Sequence, residues 1–138
     1  MKFPEADTVW PSVEPVSAPF YEGMAQHKVM IQHCVSCSTY LPPAQVVCDH
    51  CGSNTLNWVN VSGHGKIYSY VVYHRSFHPA FNQQVPYTVA LIELNEGPRL
   101  QAQFIGDEES CHVGMSVEPT YKIINDKHTL LCYVRSED

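Results

Sequence analysis

The stretch HCVSCSTYLPPAQVVCDHCGS, residues 33–53, decides how this chain folds. It holds Cys34-Val35-Ser36-Cys37, a ten-residue spacer, and Cys48-Asp49-His50-Cys51-Gly52. Two residues between thiols let one tight knuckle present both sulfurs to a single metal, and backbone N–H groups in the knuckle stabilise the thiolates. Gly52, directly after the second pair, suits a turn that needs positive φ. Two such knuckles complete a tetrahedron, the geometry zinc prefers at structural sites. The spacing therefore predicts a zinc ribbon with Cys34, Cys37, Cys48 and Cys51 as ligands. Iron in the same four-thiolate set and thiol–disulfide chemistry are the competing readings. With all four positions filled by protein, the metal organises the fold and leaves no open site for water or substrate. His33 and His50 flank the ligands and are spare.

Context supports metal over disulfide. The N-terminus, MKFPEADTVWPSVEP, is acidic and proline-broken, without the charged start and apolar run of a secretory signal. No stretch approaches the ~20 apolar residues of a membrane helix. A cytoplasmic, reducing location is expected, where paired CxxC motifs hold metal. The formal charge of the 138 residues is −6. A zinc tetrathiolate takes that to about −8. Eight Lys and Arg, scattered along the chain, are a poor match for a phosphate backbone.

Outward from the cysteines, the chain divides into three. Residues 1–17 carry Pro4, Pro11 and Pro15 and are expected to form an extended arm. Residues 18–61 are expected to hold a helix over 19–26 and the ribbon, with strands at 28–33 and 56–61 and short pieces around the Pro42-Pro43 break. Ser17-Ala18-Pro19 opens the helix, Glu22 is expected near its positive end, and Phe20, Met24 and His27 share a face, expected to pack inward. Residues 62–138 turn to β signals at 66–73, 87–94, 100–105, 117–124 and 129–134, separated by turn residues. Five short strands in about 70 residues suit a small closed barrel, of which the OB-fold is the common type.

Two further groups of residues attract attention. Cys132 sits in an apolar strand and reads as core. Cys111 and His112 are sequence neighbours, and adjacency on an extended segment points their side chains apart, against a Cys–His nucleophile. The segment 73–81 combines His74, Arg75, Phe77, His78 and Phe81. Arg75 suits a phosphate or carboxylate, and the histidines suit a carbonyl. The equal alternative is a loop whose aromatics cover the barrel mouth.

The order of these parts resembles the family once called domain of unknown function thirty-five: an N-terminal helix and rubredoxin-like zinc ribbon followed by an OB-fold. The residues that carry the resemblance are Pro19-Phe20-Tyr21-Glu22-Gly23, His33-Cys34, Leu41-Pro42-Pro43, Cys48 to Ser53, the 63–70 strand, His74 to Phe81, Val85-Pro86-Tyr87 and Glu96-Gly97-Pro98-Arg99. The resemblance spans about residues 17–135. It implies an accessory subunit of a thiolase-like enzyme acting on acyl-CoA thioesters, assembled as a heterotetramer of two plus two. The associated chemistry is carbon–carbon bond cleavage or formation, such as thiolysis or retro-aldol cleavage of a steroid side-chain CoA ester, with the catalytic groups supplied by the partner. This chain is expected to contribute no catalytic residue. Phe77, Phe81 and Tyr87 are expected to line an apolar passage for acyl-CoA, with Arg75, His78 or Arg99 near its polar groups. Many family members end in a Leu-Pro-x-Phe-like motif, whereas this chain has Leu131-Cys132-Tyr133-Val134-Arg135. The rival readings are a nucleic-acid-binding OB module, which needs a basic groove, and a stand-alone enzyme resting on the His74–His78 loop.

Overall fold

The computed structural model describes residues 14–75, 85–124 and 128–136. Helix α1 (Ala18–Ala25) leads into a three-stranded antiparallel sheet of β1 (Val29–Cys34), β2 (Tyr40–Leu41) and β3 (Leu56–Val61), in the order β2-β1-β3. Five further strands follow: β4 (Gly65–Tyr73), β5 (Tyr87–Leu94), β6 (Arg99–Phe104), β7 (Ser116–Ile123) and β8 (Thr129–Arg135). They close into a barrel ordered β4-β5-β6-β8-β7, with β7 returning to β4 at Gly65↔Val117 and Lys66↔Ser116. The β6–β8 pairing is parallel and the others are antiparallel. This is the five-stranded OB-type barrel expected from the β signals, with strand ends displaced by a residue at most.

α1 starts where Pro19, without a donor to lose, suits the first turn. Ser17 does not cap it; its hydroxyl donates back to the Glu14 carbonyl at 3.1 Å. Because the helix begins at Ala18, Glu22 lies beyond its first turn, so the expected charge–dipole contact is not made. The other end closes with Lys28 N–H bonded to Gly23 O at 2.8 Å and His27 at φ 58, the left-handed position usually given to glycine. His27 stacks on Tyr121 with ring centroids 4.7 Å apart. Met24 is buried, and Phe20 and Tyr21 pack around it, so that part of the expected face turns inward, whereas His27 lies beyond the last helical residue and is exposed.

One hydrophobic core serves helix, ribbon and barrel. Met24, Val29 and Ile31 join Ile67, Ile92, Leu94, Phe104, Val117 and Tyr133 in a single buried cluster. The seam is sealed at Gly63, which sits at φ +78 between β3 and β4. A Cβ there would come within 2.7 Å of Val29 and 3.0 Å of Pro119, so backbone shape and close packing both call for glycine. The Gly63 carbonyl accepts a 2.7 Å hydrogen bond from the fully buried Tyr133 hydroxyl. Burial, and then the charges of Tyr121 and Glu96, push the Tyr133 phenol above its ordinary range. Cys132 is fully buried as expected, its thiol pushed up to about 12 by desolvation. Cys111 is buried too, and burial raises its thiol as well. His112 is exposed, with Nδ1 3.1 Å from the Ser110 carbonyl, so the two neighbours are in different environments.

Tyr133→Phe leaves the buried Gly63 carbonyl without its donor and is expected to cost about 1–3 kcal/mol in urea unfolding. The raised phenol has a second consequence. Its contribution is complete below about pH 10 and declines as pH rises past that value, where the unfolded chain ionises the tyrosine and the folded chain does not. The pH dependence of unfolding from pH 8 to 11, compared between wild type and Tyr133→Phe, measures it.

Candidate metal centre and flanking grooves

The two knuckles share one hydrogen-bonding plan. Ser38 N–H bonds to Cys34 O and Gly52 N–H to Cys48 O, each at 2.8 Å. Cys34 N–H bonds to Thr39 O at 2.9 Å and Cys48 N–H to Ser53 O at 2.7 Å. The residue after each second cysteine adopts positive φ, 64 at Ser38 and 80 at Gly52. The sequence announced this only at Gly52; at Ser38 the repeated knuckle imposes it on a residue with a side chain.

The fold brings all four sulfurs together, within 4.8 Å of one another. Cys34 Sγ lies 3.6 Å from Cys51 Sγ, and Cys37 Sγ lies 3.7 Å from Cys48 Sγ. A tetrahedron with metal–sulfur bonds of about 2.3 Å has edges of about 3.8 Å, so the donor set fits zinc in size as well as in chemistry. Backbone N–H groups of His50 and Cys51 point at Cys48 Sγ from 3.3 and 3.4 Å. Thr39, through its side chain first and then its backbone, pulls the Cys37 thiol down to about 6. At Cys51 the Ser53 backbone contact lowers the thiol, but desolvation and the three neighbouring sulfurs outweigh it and push the group up to about 12. Without metal, then, the cluster retains protons that a bound cation must displace. Neither neighbouring histidine adds a ligand to the cluster: His33 packs against Tyr40, ring centroids 4.8 Å apart, and His50 is exposed.

Behind the metal cluster, Gln32 is buried between the knuckle and the core. Its amide is satisfied at both ends by Gln45, donating to the carbonyl at 2.9 Å and accepting from the N–H at 2.7 Å. That pair fastens the Pro42–Val47 loop to β1. Two grooves flank this loop. One, of about 650 Å³, runs between the ribbon and the β5–β6 turn, with Tyr40, Leu41 and His50 facing Glu96, Gly97 and Pro98. The other, of about 390 Å³, is lined by Phe20, Pro42, Pro43, Leu91, Arg99 and Leu100.

The residues expected to meet acyl-CoA are spread over the barrel. Tyr87 begins β5 and stacks on Tyr73, ring centroids 5.1 Å apart; burial and then Tyr73 raise its phenol. Arg75 is exposed just beyond β4, close to this end. Phe77, His78 and Phe81 lie outside the described residues. Arg99 pairs across the sheet with Glu93, six positions along β5 from Tyr87, or roughly 20 Å away. There it lies 3.3 Å from the Glu93 carboxylate and 3.6 Å above the Tyr68 ring. The fold thus groups Arg75 with Tyr87 and gives Arg99 a separate groove with Phe20. Sequence reading missed that groove because its walls come from helix, ribbon loop and barrel, which no local pattern links.

Zinc stripping is expected to disorder residues 28–60, read as loss of amide protection and of resolved NMR signals there, while β5 and β7 keep theirs. Affinity is expected to fall steadily as pH drops from 8 towards 5, because the thiolates regain protons and protons compete with the metal. Zinc competition titrations with a chromophoric chelator measure it.

Comparison with known proteins agrees with this architecture. The rubredoxin-like zinc ribbon domain of ChsH2 matches residues 22–56, and the C-terminal OB-fold domain of ChsH2 matches residues 58–122. A DUF35 domain-containing scaffold protein of Methanocaldococcus jannaschii is 35% identical over 95 residues, 67% of either chain. A probable enoyl-CoA hydratase alpha subunit of Thermomonospora curvata is 38% identical over 115 residues, covering 83% of this chain but only 35% of that one. The solved Ltp2-ChsH2(DUF35) aldolase is 35% identical with a TM-score of 0.81, covering 91% of this chain and 98% of that one. No helix among the described residues is long and apolar enough to cross a membrane. The four-cysteine cluster and the zinc-ribbon match together support structural zinc, and the chain belongs to the DUF35 family, built as a ChsH2-type zinc ribbon and OB-fold.

Proposed function

We propose that this chain is a cytoplasmic accessory subunit of a thiolase-fold enzyme acting on acyl-CoA thioesters. The partner supplies the catalytic groups, and the assembly contains two copies of each chain. The observation that carries this reading is the likeness to the ChsH2-type chain of an aldolase over nearly its whole length, at 35% identity. The hydratase alpha subunit from Thermomonospora points to the same substrate class, as a chain more than twice as long. Carbon–carbon cleavage by retro-aldol chemistry on a steroid side-chain CoA ester is the specific reaction favoured here.

Residue chemistry supports the division of labour. Helix and ribbon (18–61) and barrel (62–138) act as one body through their common core. Arg75 and Tyr87 at one barrel end present a cation and an aromatic ring to the acyl-CoA, and Phe77, His78 and Phe81 join the proposed contacts on residue type alone. Arg99, with Phe20 and Leu100 beside it, offers a second place where a cation borders apolar walls. A nucleic-acid role has less support. The chain carries −6, and Arg99 is already engaged by Glu93 and Tyr68.

Co-expression with a thiolase-like partner protein is expected to yield a stable two-plus-two complex by light scattering, with CoA-ester turnover that neither chain shows alone. A monomer that changes no such partner overturns the proposal. Within the complex, Arg75→Ala is expected to raise KM for the CoA ester several-fold with kcat little changed, the pattern of a lost ground-state contact.

A further inference from the structure

The four thiols are not equivalent towards solvent. Cys34 and Cys48 are buried at 0% and 1% exposure, Cys37 is half-buried, and Cys51 is exposed. Hydrogen bonding adds to the contrast in number, since Cys51 has the Ser53 backbone contact. Cys48 Sγ accepts two backbone N–H groups, and Thr39 Oγ1 lies 3.1 Å from Cys37 Sγ and donates to it once the sulfur is a thiolate. Hydrogen bonds and burial both lower the reactivity of a metal-bound thiolate, and exposure raises it. Cys34 Sγ, from the other knuckle, lies 3.6 Å from Cys51 Sγ, and Cys37 Sγ lies 3.7 Å from Cys48 Sγ, within a cluster whose four sulfurs are all within 4.8 Å of one another.

We propose that Cys51 is an oxidation site for hydroperoxides, with Cys34 as its resolving thiolate, so that the ribbon is a redox-releasable clamp. The Cys51 thiolate attacks the peroxide: an S–O bond forms, the O–O bond breaks, and hydroxide leaves a sulfenic acid. Cys34 Sγ then attacks the Cys51 sulfur: an S–S bond forms, the S–O bond breaks, and a second hydroxide leaves. Two thiolates lose two electrons to one peroxide, and zinc, deprived of two ligands, dissociates. The 3.6 Å contact between the two knuckles favours Cys34–Cys51 as the product. Disulfides within either knuckle, Cys34–Cys37 or Cys48–Cys51, are the products that a CxxC reading of the sequence suggests. Because Cys34 ends β1, which also delivers Val29 and Ile31 to the common core, the bond pulls on the strand that joins ribbon to barrel.

The test uses the zinc-loaded full chain and substoichiometric hydrogen peroxide. Zinc release is followed with a chromophoric chelator, and disulfides are mapped by mass spectrometry of non-reduced digests. The expected result is one zinc released per Cys34–Cys51 bond formed, with Cys111 and Cys132 unmodified. Brief alkylation of the zinc-loaded wild type by iodoacetamide, which needs no variant to fold, is expected to label Cys51 at least tenfold faster than Cys34 or Cys48. Reduction followed by zinc is expected to restore the starting protein. A first disulfide within a knuckle, equal labelling of the four thiols, or prior oxidation of Cys111 overturns the proposal.

Discussion

A three-stranded sheet with one strand of two residues buries too little apolar surface to hold itself together, and the rest of the structure answers to that limit. The ribbon's own buried cluster is Cys34, Leu41 and Cys48, with Cys37 and Leu56 partly buried beside it. Three of those five side chains are ligands placed for metal, so the apolar part is two leucines. Stability has to come from outside, and it comes from both ends of β1. At its C-terminal end, four thiolates converge for a cation whose binding is itself folding free energy. At its N-terminal end, Val29 and Ile31 enter the core that α1 and the barrel build. Between the two ends, the buried Gln32 spends both ends of its amide on Gln45, so the strand crosses from metal to core without an unpaired polar group.

This arrangement makes the ribbon a wall as much as a domain. The 650 Å³ groove has Tyr40, Leu41 and His50 on its ribbon side and the β5–β6 turn on its barrel side. Pro42 and Pro43 also reach the smaller groove beside Arg99. Both depend on where the Pro42–Val47 loop lies, and that loop is fixed by Gln32 and by the knuckle that follows it. Loss of metal therefore alters surfaces well away from the sulfurs, because the same short strand positions both. Gly63 and Tyr133 set the other boundary: a close backbone approach and one buried hydrogen bond fix the angle at which ribbon leaves barrel.

The elements were legible in the sequence because their signals are local. Alternating Val, Ile, Tyr and Leu between turn residues located all five barrel strands to within a residue, and two CxxC pairs located the metal cluster. Gly52 announced its positive φ, but Ser38, in the same conformation, did not, since only the repeated hydrogen-bond plan demands it. What depends on distant residues was not legible. Arg99 and Tyr87 were grouped as contacts for one ligand, and register along β5 sets them at opposite ends. Glu22 was expected at the helix start, a matter of where the first turn begins. The burial of Cys111, and which sulfur faces solvent, follow only from how the knuckles and barrel meet.

The buried groups also bear on what kind of work the chain does. Tyr133, Cys132 and Cys111 all have their protonated, neutral forms favoured by desolvation, and Tyr133 already spends its proton on a carbonyl. A catalytic group needs the opposite arrangement: a pKa brought towards the working pH and an open path to a reacting atom. The reactive-looking interior of this protein is therefore occupied in holding the fold. Its charged and aromatic groups at the barrel surface, Arg75, Tyr87 and Arg99, are the ones proposed above to bind. Such a body is rigid through a shared core and shaped at its surface by a metal clamp, which is in keeping with the accessory role proposed above. The seam between ribbon and barrel is where that shape is decided, because the surfaces on both sides of it are set by the one strand that runs from metal cluster to core.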